Sequence, residues 1–135
     1  MPHALIIDRD PLMQRMFGEL VAECGFQATC VADWHDGLRW MQATVEPALV
    51  LHDSLRSHLP LAEMRAVLHT AAPALRRHRS ILLIAAEPPL PPDITAALHQ
   101  LNITVLPHPV DFLQLLQAIQ EAATQLSQPP YSDES

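Results

Sequence analysis

The chain has 135 residues and a mass of 15.0 kDa, with 49% hydrophobic and 17% charged residues, which suits one packed domain and excludes a charge-rich disordered chain. Eight basic residues, all arginine, stand against fifteen acidic ones, and the formal net charge of −7 denies the chain the cationic surface that a general nucleic-acid or anionic-membrane binder needs. No apolar run reaches the roughly 18 residues of a membrane span, the first residues lack a charged-then-apolar signal segment, and Cys24 and Cys30 make no disulfide framework, so a reducing, cytoplasmic setting is expected.

Residues 4–7 (ALII) form a short apolar run, the pattern of a buried strand. Pro11 suits the first turn of the next helix, in which Leu12, Met16, Phe17, Leu20, Val21 and Cys24 recur at helical spacing until Gly25. Residues 26–31 read as a second strand, and Asp33 as the cap of a helix over about residues 34–44. Trp34 and Trp40 lie six apart on that helix and need not share a face; Trp40 is assigned to the core. Residues 48–51 (ALVL) are a third strand, stopped by His52 and Asp53. A helical stretch over 61–75 carries Pro73, which leaves its end open. Residues 81–86 give a fourth strand, 94–101 a short helix and 103–106 a fifth strand. Asp111 caps a last helix with Phe112, Leu115, Leu116, Ile119, Ala122 and Leu126 on its apolar side.

Five alternations of strand and helix imply an α/β fold, a doubly wound parallel sheet with helices on both faces. Residues 1–126 make the domain, and 127–135 (SQPPYSDES) read as a disordered tail or the stump of a linker. The run 87–92 (EPPLPP) reads as a stiff, extended, polyproline-like loop.

Reactive groups of open parallel sheets gather at the carboxyl ends of the strands. Asp8, Arg9 and Asp10 follow the first strand, Asp53 the third, Ala85 and Ala86 end the fourth, and Pro107, His108 and Pro109 follow the fifth. Carboxylates converging on one edge repel unless a cation intervenes. Asp10 also directly precedes a helix, where it serves as a cap. His52 points to the opposite face from Asp53 and is read as packing.

These segments resemble the receiver domains of two-component response regulators over about residues 3–126. LIIDRDPLMQRMF (5–17) is similar to the family's first strand and acidic pocket, GFQATCVADWHDGLRWM (25–41) to its second strand and helix, PALVLHD (47–53) to the strand ending in the phosphoacceptor, and LPHPVDFLQLLQAI (106–119) to the fifth strand and last helix. The resemblance implies the flavodoxin-like fold with strand order 2-1-3-4-5, Asp53 as phosphoacceptor, and Asp8 with Asp10 in the acidic pocket. It also exposes departures. Arg9 replaces the second pocket carboxylate, Ala85 the switch hydroxyl, Val105 the switch aromatic and His108 the conserved-type lysine, while Pro109 is kept.

Phosphoryl transfer to a carboxylate needs a divalent cation, and magnesium wants hard oxygen ligands. With Arg9 in place of a carboxylate, the resemblance implies at most weak magnesium binding at Asp8 and Asp53, and otherwise no cofactor. Arg9 is expected either to occupy the cation's place and bridge the two carboxylates or to point to solvent. Asp8, Asp53 and His108 are expected to converge. Ala85 and Val105 leave no hydroxyl or ring to move, so the reading is a degenerate receiver: a protein-interaction module and not an enzyme. Its expected partners are a signalling protein or output domain, a histidine kinase among them, with a homodimer face between Ile94 and Leu126 that includes Leu98, Leu101 and Val105. Two rivals remain: a working receiver phosphorylated on Asp53 by a histidine kinase, and a small-ligand-binding flavodoxin-like domain. Against the last, Gly18, Gly25 and Gly37 all lie away from strand carboxyl ends, so no phosphate cradle forms.

Overall fold

The computed structural model describes residues 2–54 and 59–127; the expected tail beyond residue 127 lies outside them. Short, uniformly apolar strands are stable only when both faces are covered. Here β1 (His3–Ile7), β2 (Gln27–Val31), β3 (Leu49–Asp53), β4 (Arg79–Ala85) and β5 (Thr104–His108) pair in parallel in the order β2-β1-β3-β4-β5. The helices between them are α1 (Pro11–Glu23), α2 (Trp34–Ala43), α3 (Leu61–Thr70), α4 (Ala72–Arg77), α5 (Pro92–Gln100) and α6 (Phe112–Leu126). The doubly wound sheet and its strand order match expectation.

Alternation along each strand sends side chains to opposite layers. Ala4, Ile6, Leu49, Leu51, Ile81 and Leu83 pack with Phe17 and Val21 of α1 and Leu115 and Ile119 of α6. Leu5, Ile7 and Val50 meet Trp34, Met41 and Leu75 on the other face, and Leu82 meets Met64, Ile94 and Leu98 beside them. The central β3 is buried throughout, whereas β2 and β5 are partly exposed. Pro107 sits inside β5 because β5 is an edge strand, with β4 as its neighbour on one side only.

Several expected boundaries move. The third strand runs on through His52 to Asp53, because its flank is covered and both residues are buried. The helix expected over 61–75 divides at Ala71, and Pro73 falls in the first turn of α4, the place in a helix where its missing N–H costs nothing. The loop expected to be extended is so only in part: the chain bends over 86–88, Pro91 keeps an extended, polyproline-like φ −58° and ψ 146°, and Pro92 already opens α5. Trp40 packs half-buried against the core cluster, as expected, and Trp34, at 4% exposure, lies deeper in it. Ile94, Leu98 and Leu101, expected on an exposed face, are 1%, 2% and 4% exposed, because they form the stripe by which α5 packs on the sheet.

Two backbone positions require glycine. Gly25 ends α1 with φ +93°, the left-handed region favoured after a helix. Gly37 lets α2 approach β1 so closely that a Cβ would lie 2.9 Å from Ile7 Cγ1 and closer still to Ile7 Cδ1. At the opposite end of the sheet, the buried His78 ties three segments together. Ala48 N–H donates to its Nδ1 at 3.0 Å, which places the ring proton on Nε2, and that proton is donated to Met41 O at 3.0 Å. Arg77 adds hydrogen bonds to Met41 O and Thr44 O at 3.2 and 3.1 Å, capping the last turn of α2.

Candidate functional site

Ile7 of β1 is in register with His52 of β3, so Asp8 and Asp53 are the next residues at adjacent strand ends. Both carboxylates are buried, at 0% and 1% exposure. Asp8 is fixed on three sides: its N–H donates to Val31 O at 3.1 Å, its Oδ1 accepts from Asp10 N–H at 2.9 Å, and Gln14 Nε2 donates to its carbonyl at 2.6 Å. Asp10 turns its own Oδ1 to Leu12 N–H at 2.9 Å and caps α1.

His108 closes the site from the far strand. Its Nδ1 lies 3.6 Å from Asp53 Oδ2, with the imidazole 16% exposed and the carboxylate 0%. That distance is longer than an ordinary hydrogen bond, so the contact is electrostatic and depends on the ring's charge. Asp8 and Asp53 thus end neighbouring strands while His108 reaches Asp53 across β4, and the three expected residues share one strand edge. Ala85 is the register partner of His108 and ends β4 at the same edge.

Of the two expected placements of Arg9, the structure has the solvent-facing one. Arg9 is exposed, and among the described residues it forms no ion pair with Asp8 or Asp53. The cause is local: Asp8 is locked inward by the Asp10 amide, and the intervening residue faces outward, where its guanidinium keeps its hydration. The sequence reading also missed Ser54. Buried next to Asp53, its hydroxyl donates to Leu83 O at 2.9 Å, and Leu83 is itself the register partner of Asp53.

Partial desolvation and, secondarily, the nearby Asp8 carboxylate push the thiol of the otherwise exposed Cys30 up from its ordinary value. On the opposite face His52 is buried, and desolvation lowers its pKa to about 4, which makes it a neutral packing residue.

Asp8 and Asp53 supply two hard oxygen donors of the kind magnesium takes. Among the described residues, no group of three or more His, Cys, Asp or Glu side chains is arranged to hold a metal ion. Magnesium is usually held by one or two carboxylates with water filling the rest of its shell, so this pair fits as a partial ligand set. Beside the site, Ala85, Ala86, Leu90, Val105 and Pro107 line an open groove of about 460 Å³ between α5 and β5, and Val105 is 40% exposed there. No helix among the described residues is long and apolar enough to cross a membrane.

No family model matches the sequence, and no curated protein matches it. Solved structures do. The signal receiver domain of a signal transduction histidine kinase from Syntrophus aciditrophicus superposes with a TM-score of 0.69 at 16% identity, over 96% of this chain and 95% of that one. The receiver domain of the Francisella response regulator 1452 gives 0.68 at 14% identity over 93% and 98%. The beryllofluoride-activated NtrC receiver domain gives 0.66 at 18% identity over 95% and 98%. With strand order, helical layers and near-complete coverage in agreement, the chain has the fold of response-regulator receiver domains.

Proposed function

We propose that this chain is an atypical receiver in two-component or phosphorelay signalling, working as a protein-interaction module with impaired or absent magnesium-dependent phosphorylation of Asp53. The observation that carries the reading is the make-up of one strand edge: a buried Asp53 and Asp8 beside an imidazole at 3.6 Å, with a bare methyl at Ala85. The carboxylates suit a phosphoacceptor pocket. By resemblance to receivers, Arg9 stands where a second pocket carboxylate would and Ala85 where a switch hydroxyl would, and a switch needs a contact that differs between two states. Arg9 enters only as the loss of a ligand, because its side chain is exposed.

The expected partners are a signalling protein or output domain, including a histidine kinase, and the groove at Ala85, Leu90 and Val105 is the contact face, with a second copy as one candidate occupant. A working receiver phosphorylated on Asp53 is the second reading, favoured by the burial of Asp53 next to Asp8. Incubation with a small phosphodonor and magnesium, read by intact mass against Asp53→Asn, separates the two. The first reading expects no phosphoryl adduct on either protein. A stoichiometric adduct on wild type that Asp53→Asn abolishes establishes the second.

A further inference from the structure

The face of the sheet opposite α1 and α6 contains a small, partly open cavity of about 50 Å³, walled mostly by apolar side chains such as Val50, Met64, Leu75 and Leu82. Two polar side chains in that wall contradict its apolar character. Trp34 is 4% exposed and Ser80 9%, and neither Trp34 Nε1 nor Ser80 Oγ has a hydrogen-bond partner among the described residues. A buried donor left unsatisfied is costly, and native interiors meet that cost with protein groups or with internal water. The protein supplies no group to either atom.

We infer that this cavity is an internal hydration site, in which ordered water accepts from the Trp34 indole and bonds the Ser80 hydroxyl. The volume is sufficient, since liquid water occupies about 30 Å³ per molecule and about 50 Å³ holds one or two. Water is also the occupant that the chemistry selects. The third polar residue of the wall, His52, is held neutral by burial, so no charge invites an ion, and the space is too small for a ring-sized organic molecule. A purely apolar cavity of similar kind stays dry and takes up xenon, which gives the two cases opposite signatures.

The test measures water-oxygen magnetic relaxation dispersion on the native protein and on Ser80→Val, which removes the hydroxyl and fills part of the space with a side chain suited to a strand. The hydration site predicts about one fewer long-lived water in Ser80→Val and no saturable methyl shifts when the native protein is placed under xenon. Equal counts of long-lived water in the two proteins overturn it. So do saturable xenon shifts centred on Val50, Met64 and Leu82 in the native protein, which are the mark of a dry cavity and decide the matter even if Ser80→Val fails to fold.

Discussion

Acidification destabilises this domain through its buried histidines, and His52 carries the largest resolvable share. Its imidazole is 8% exposed, and desolvation lowers its pKa from 6.5 to about 4. A group depressed in the folded state binds its proton preferentially in the unfolded chain, so its stability contribution is complete above about pH 6.5 and is lost as the pH falls toward about 4. Between about pH 7.5 and pH 5 the linkage relation gives a loss of about 2 kcal/mol from His52 alone. His78 adds in the same direction: burial lowers its pKa, and protonation of Nδ1 breaks the hydrogen bond from Ala48 N–H. Urea unfolding followed by fluorescence of Trp34 and Trp40 at the two pH values measures the loss. His52→Gln keeps hydrogen-bonding capacity without titrating in this range, so the variant is expected to lose about 2 kcal/mol less than wild type on acidification. Equal losses in the two proteins would refute the assignment of acid sensitivity to this buried ring.

Further predictions concern packing and the site. His78→Ala removes two buried hydrogen bonds that join α2, β3 and the end of α4, and should cost about 2–3 kcal/mol in the same unfolding assay; a loss below about 1 kcal/mol contradicts its bridging role. Gly37→Ala improves helix propensity but drives a methyl into the buried Ile7, and a net destabilisation of about 1–2 kcal/mol is expected, where stabilisation would mean that the α2–β1 contact is looser than described. The double change Ala85→Thr with His108→Lys returns a hydroxyl and a permanent cation to the edge beside Asp53. A charge-assisted hydrogen bond is worth about 1.5–3 kcal/mol, so beryllofluoride with magnesium should shift the amides around Asp53 in this variant under conditions that leave wild type unchanged. No gain would show that neither position limits the site.

Periodicity made the fold legible. The alternation of apolar runs with capped helices names all five strands, and Asp10, Asp33 and Asp111 act as the caps that their positions suggest. The misplaced features share a cause, since each depends on a neighbour that the sequence does not reveal. The apolar residues of α5 read equally well as a docking stripe or as core, and only Met64 and Leu82 packed against Ile94 and Leu98 decide for core. Arg9 could bridge carboxylates by charge alone, yet the Asp10 amide on Asp8 sets the turn and leaves the guanidinium outside. His78 carries no local sequence signal. Its bridge spans 30 residues to Ala48 and 37 to Met41, a contact order invisible to local patterns. Asp8, Asp53 and His108 were findable because strand ends in a parallel sheet share one edge.

The most direct test of the proposal that this receiver fold lacks a phosphoryl switch is a backbone-amide NMR titration with magnesium and then beryllofluoride. The account predicts weak, non-saturable magnesium effects near Asp8 and Asp53 and no further response to beryllofluoride. Saturable shifts spreading from Asp53 through Ala85 to α6 would contradict it and identify a working switch.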